Sequence, residues 1–257
     1  YLFCLLQRAT VAYWQAEYAA AEADATALLG EAQRDGFPQY EVWALGTLGS
    51  VLLRRGAWAQ ARRQLDAAHA LAQLDQAKTA RIFVAGQRAW VALQQGERST
   101  AQQLAEAALH EIRATAQTGH GALEGYFGVV TTYLELAADA APAARRRELL
   151  QVVQQALPGL HRYARLVPIG TARAALCQAR FAELQGHWPL ALKWLRRALR
   201  AAQSHGLPYD QALAHLAIGR LASTAALPAR ERPEPRLHLD AAERLLARCG
   251  AVAERPR

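Results

Sequence analysis

The feature that most constrains this chain is a turn that returns about every 40 residues. Ala16-Glu17-Tyr18-x-x-Ala21, Gly56-Ala57-Trp58-x-x-Ala61, Gly96-Glu97-Arg98-x-x-Ala101 and Gly186-His187-Trp188-x-x-Ala191 align on one pattern. Successive turns fall 40, 40 and 90 residues apart, and the last gap leaves room for one degenerate unit. A fixed period of about 20–50 residues marks stacked repeats, whose single units cannot bury their apolar faces alone.

The clearest unit runs from Glu41 to Leu74: a helix, a break at Arg55-Gly56-Ala57, and a second helix. Gly49, Ala61 and Ala68 fall where two antiparallel helices approach most closely, with Trp58 and Leu65 filling between them. The same hairpin repeats over approximate units 1–38, 39–76, 77–118, 119–160, 161–208 and 209–250. Unit four is looser. Tyr126, Val130 and Tyr133 mark one helix, and Arg145–Leu157 a second. Pro158-Gly159 ends that second helix, and a short helical segment follows up to Val167-Pro168-Ile169-Gly170, since Pro and Gly are helix stops. The expectation is a single all-α domain over residues 1–257: a right-handed α-solenoid of about six hairpins and roughly twelve helices.

Composition agrees. Hydrophobic residues make up 52% of the 257, much of it Ala, with only 10 Pro to interrupt helices. No apolar run reaches the roughly 18 residues that a membrane span requires, and no signal segment opens the chain, so the expected location is cytoplasmic, with no membrane partner. Cys4, Cys177 and Cys249 are too scattered for a disulfide framework or a metal site. With no Met, and with Tyr1 already in a helical pattern, the sequence reads as excised from a longer polypeptide. Charge is uneven: residues 1–140 carry 11 Lys and Arg against 14 Asp and Glu, residues 141–257 carry 19 against 8.

The small-residue framework Leu48-Gly49…Gly56-x-Trp58…Ala61…Ala68, repeated as Ala179…Gly186-x-Trp188…Ala191…Ala198…Pro208, resembles the tetratricopeptide repeat. The period of 40 exceeds the standard one of about 34, so the helices read as lengthened. Two further stretches, Arg162-Tyr163-Ala164-Arg165-Leu166-Val167-Pro168-Ile169-Gly170 and Leu207-Pro208-Tyr209-Asp210-Gln211-Ala212-Leu213-Ala214-His215-Leu216-Ala217-Ile218-Gly219-Arg220, look like the end of a bacterial signalling family. Members of that family join a class III adenylate/guanylate cyclase or kinase domain to an AAA-type ATPase and a C-terminal tetratricopeptide region. Related regions occur in ATPase-coupled transcription regulators of the maltose-regulator type. The resemblance implies a non-catalytic regulatory part, with the catalytic parts upstream.

Chemistry is sparse in the sequence. Gly46-Thr47-Leu48-Gly49 lacks the Lys-Ser/Thr of a phosphate loop and reads as a packing position. No Gly-x-Ser-x-Gly nucleophile elbow occurs. His205 and His215 flank one turn without a third ligand. Glu124 with Glu135, or Glu183 with Asp210, are the nominal acid/base pairs, but their spacing does not set them apart from surface charges. Neither catalysis, a cofactor nor a metal is expected.

What remains is a binding surface. Laying the repeat over the chain points Trp14, Trp43, Ser50, Arg54, Trp90, Gln94, Arg173, Arg180 and Arg220 into the groove lined by the first helices of the hairpins. Trp and Arg are frequent binding anchors, and Arg grips carboxylates through paired hydrogen bonds. Trp43 and Trp90 equally suit packing between neighbouring hairpins. The sequence has no Asn, so the carboxylate clamp of chaperone-binding tetratricopeptide proteins is not expected. The expected partner is a protein or peptide, including other domains of the same polypeptide. Nucleic acid is the rival partner, through Arg145-Arg146-Arg147 and Lys193-x-x-Arg196-Arg197-x-x-Arg200. A purely structural spacer is the third reading.

Overall fold

A computed structural model describes residues 1–74, 78–115, 119–224 and 227–252. The protein is all-α, a helical-repeat fold with no strand among the described residues. Its helices are α1 (Leu2–Trp14), α2 (Tyr18–Asp35), α3 (Pro38–Arg54), α4 (Trp58–Leu74), α5 (Lys78–Gln94), α6 (Arg98–Ala114), α7 (Leu123–Asp139), α8 (Ala143–Leu166), α9 (Thr171–Leu184), α10 (Trp188–Ser204), α11 (Pro208–Ser223) and α12 (Pro235–Cys249). They form two compact units, one from Tyr1 to Thr132 and one from Tyr133 onward, so the division falls inside α7. The unit boundaries read at 76 and 118 lie outside the described residues.

The recurring turn is a left-handed helix cap. Gly56, Gly96 and Gly186 have φ of 76°, 84° and 79°, and Ala16 takes the same conformation at φ 58°. In each case the next amide reaches back five residues: Glu17 N–H to Ala12 O, Ala57 to Leu52, Glu97 to Ala92 and His187 to Ala182, all within 2.8–3.0 Å. This double closure satisfies carbonyls that a helix end otherwise leaves bare. Gly36 and Gly206 close the turns into α3 and α11 in the same way. Proline then starts α3 and α11, where its missing N–H costs nothing.

Each turn also sets the register of the buried stripe on the helix that follows. Five residues on stand Ala21, Ala61, Ala101 and Ala191; twelve on stand Leu28, Ala68, Ala108 and Ala198; all eight are buried. Seven residues before the turn, Ala9, Gly49, Ala89 and Ala179 occupy the close-approach position. A Cβ on Gly49 would fall 2.7 Å from Leu65 Cγ. Gly219 holds the equivalent place against Leu239 of α12. Side-chain size at these points fixes how near the helices of a hairpin come.

One contact is closer still. A Cβ on Gly86 of α5 would land on the Gly125 carbonyl of α7, and one on Gly125 would land on the Ile82 carbonyl. One on Gly128 would meet Gly86 itself, so α5 and the start of α7 touch backbone to backbone.

The break expected at Pro158-Gly159 is absent: α8 runs through both residues to Leu166. An interior proline removes one helical hydrogen bond and costs about 3 kcal/mol. Leu149, Val153, Leu157, Leu160 and Tyr163 are buried along the whole length of α8, and that continuous apolar stripe outweighs the local penalty. Cys4, Cys177 and Cys249 are all free thiols. No described helix is long and apolar enough to cross a membrane.

Candidate functional site

The residues expected to face a groove occupy repeated positions on the first helices. Trp14, Arg54 and Gln94 stand two residues before their turns, Ser50, Trp90 and Arg180 six before, and Trp43 and Arg173 thirteen before. In the first unit these positions form an interior. Ser50, Arg54, Trp90 and Gln94 are buried, while Trp14 and Trp43 are half-buried.

Arg54 sits at the centre of that interior. Its Nη2 donates to Glu124 Oε2 at 2.7 Å and its Nε to the Tyr13 hydroxyl at 3.0 Å. Both charged side chains are under a tenth exposed. Ser50 Oγ lies 2.7 Å from Gln87 Oε1 and 2.8 Å from the Gly46 carbonyl, joining α3 to α5. Trp43 packs on Phe83 with ring centroids 5.2 Å apart, and Gly121 leaves room for its indole. The Trp90 indole N–H is buried without an acceptor among the described residues. A cavity of about 30 Å³ remains between Thr10, Tyr13, Trp14, Trp43, Thr47, Ser50 and Glu124. A water needs about 10–15 Å³ of such space and an organic ligand several hundred, so this cavity is water-sized.

In the second unit the expected arginines divide. Arg173 Nε donates to Asp210 Oδ1 at 2.6 Å, with both side chains buried. Arg180 holds Glu135 through Nε and Nη2 (3.0 and 3.3 Å) and Glu183 through Nη1. Burial works against its charge, yet the two carboxylates outweigh it and hold the guanidinium above its ordinary pKa. Arg220 is exposed. Each carboxylate nominated for acid/base work therefore neutralises an arginine: Glu124 on Arg54, Glu135 and Glu183 on Arg180, Asp210 on Arg173. His215 meets His238 of α12, Nδ1 to Nδ1 at 2.9 Å, rather than His205. Among the described residues no group of three or more His, Cys, Asp or Glu is placed to hold a metal ion.

A second space is of another order. Helices α8, α9 and α10 enclose an open hollow of about 590 Å³, lined by His161, Ala164, Arg165, Thr171, Ala174, Ala175, Gln178, Leu190, Trp194 and Arg197. Its wall is built, not incidental. His161 Nε2 lies 3.1 Å from Gln178 Oε1, and the His161 and Trp194 rings sit 5.6 Å apart. Arg197 lies over the Trp194 indole at 5.1 Å, within the range of a cation–π contact. No acidic side chain lines it. The sequence reading passed over this site because its residues come from three helices with no shared spacing. In the sequence Arg197 stands out as part of a charge stripe, and Ala164 and Arg165 as part of the stretch Arg162–Gly170, with nothing to join the two.

No family model matches the chain, and no curated protein matches it.

Proposed function

We propose that this chain is a non-catalytic recognition module, a helical-repeat frame that holds a partner or ligand and couples that event to attached domains. The hollow between α8 and α10 carries the reading: about 590 Å³ lies within the range of roughly 300–1,000 Å³ typical of ligand sites. The frame around it includes the α9–α10 hairpin, closed by the repeated cap at Gly186, which supports side chains that differ from unit to unit. Membership of a cytoplasmic bacterial signalling protein, with cyclase or ATPase domains upstream, is supported by the tetratricopeptide-like framework and the two C-terminal stretches. The first of those stretches supplies Ala164 and Arg165 to the hollow.

The test is a photoreactive benzoylphenylalanine placed at Leu190, in the hollow, and separately at exposed Leu237 on α12, each irradiated in cells. The reading expects an adduct at Leu190 that Leu237 does not give. Equal labelling at both positions, or none at Leu190, contradicts it.

One observation favours a nucleic-acid reading as the second choice. Lys193, Arg196, Arg197 and Arg200 are all exposed on α10, beside a tryptophan able to stack. Binding through phosphates would fall steeply between about 50 and 200 mM salt.

A further inference from the structure

Two arginines, Arg165 and Arg197, line the hollow. Arg54, Arg55, Arg81, Arg88, Arg173 and Arg180 each hold a carboxylate. Arg165 and Arg197 have no ion-pair partner among the described residues, although both line one cavity. Residues 133–252 carry 17 Lys and Arg against 9 Asp and Glu, while residues 1–132 carry 11 against 12, so the field around the hollow is positive. Between the arginines lies an aromatic and aliphatic wall: Trp194, His161, Leu190 and the buried Ala164, Ala174 and Ala175.

We propose that this hollow binds a small organic anion with a planar apolar body, its ring against Trp194 and His161 and its anionic group on Arg165 and Arg197. Guanidinium groups match carboxylate and phosphate oxygens in pairs, and Trp offers a large stacking face at little entropic cost. Thr171 and Gln178 supply neutral hydrogen-bonding groups at the edge. A neutral ring would gain the stacking but not the charge pairing, and a bare anion the reverse. The inference rests on the recognition reading above but can fail alone: a protein adduct at Leu190 would keep that reading and remove this ligand.

The test uses the whole chain with 2-naphthoate as probe and neutral 2-naphthamide as its isostere, measured by calorimetry. The expected result is saturable 1:1 binding of naphthoate at least tenfold tighter than naphthamide. Arg165→Gln and Arg197→Gln should each weaken naphthoate about tenfold and leave naphthamide unchanged, with unaltered helical circular dichroism. Trp194→Ala should weaken both. Equal affinity for the two probes, unchanged naphthoate binding in both arginine variants, or no saturable binding to millimolar concentration would overturn the proposal. Tighter binding of a thymidine decamer than of naphthoate would overturn it in favour of nucleic acid.

Discussion

Arg54 and Glu124 lie 70 positions apart and meet at 2.7 Å, each almost wholly out of water. The pair ties the end of α3 to the start of α7, with the Tyr13 hydroxyl completing it from α1. A buried pair contributes little net stability, but losing one partner strands the other charge at a cost of about 3–5 kcal/mol. Urea unfolding of Glu124→Leu should show a loss of that size. The Arg54→Met/Glu124→Leu double variant should recover most of it, leaving about 1 kcal/mol from the Tyr13 hydroxyl. A double variant as unstable as the single would show that the pair does more than neutralise itself.

A turn built for glycine is made once without it. Ala16 holds φ 58° where its counterparts Gly56, Gly96 and Gly186 hold similar values freely. The left-handed conformation costs an L-residue about 1–2 kcal/mol, partly offset by the greater entropy that glycine brings to the unfolded chain. Ala16→Gly should therefore raise stability by about 0.5–1 kcal/mol in thermal unfolding. A lowered midpoint would contradict the assignment.

Glycines inside helices divide by what surrounds them. Gly125 faces the α5 backbone, which has no flexible end to move aside, whereas nothing lies within 4 Å of a Cβ at Gly30. Overpacking typically costs about 1–3 kcal/mol, and Gly125→Ala should reach the top of that range. Gly30→Ala should stabilise by about 0.5–1 kcal/mol through helix propensity alone. Denaturant midpoints that shift in opposite directions are the expected outcome.

How much was legible beforehand follows from which interactions are local. The turns, the alanine stripe and the helix ends at Trp14, Arg54, Gln94 and Leu184 depend on residues within a few positions, and the repeat displays them four times over. Arg54 finding Glu124, and Arg173 finding Asp210, depend on distant helices, and no spacing announces them. The same inward positions that suit a groove also suit an interior, so periodicity could place Ser50 and Trp90 on a face without saying what covers it. Pro158 misled for the opposite reason: a strong local signal was overruled by long-range burial along α8. The hollow joins His161, Gln178 and Trp194 across three helices, a conjunction visible only once they are packed.

Acid should loosen the last hairpin of the second unit. His215 on α11 and His238 on α12 share one hydrogen bond between Nδ1 atoms, which requires one donor and one neutral acceptor. Burial lowers both pKa values, helped by His238 and Arg244 around the first and by Arg196 of α10 around the second. Because the folded pKa values lie below the unfolded value of about 6.5, the unfolded chain binds more protons in acid. The stabilisation is present above pH 6.5 or so and is lost as pH falls through the folded values. Unfolding free energy should decline from pH 7 to 5, and His238→Gln should flatten that slope. An unchanged slope in the variant would rule the pair out as its source.

Hydrogen exchange with and without saturating 2-naphthoate tests most directly whether recognition sits in the second unit's hollow while the inward face of the first unit is closed. The account predicts added protection confined to α8, α9 and α10, strongest around Ala164, Ala174 and Gln178. Protection centred on α3 and α5 around Ser50 and Gln87, or none anywhere, would contradict it.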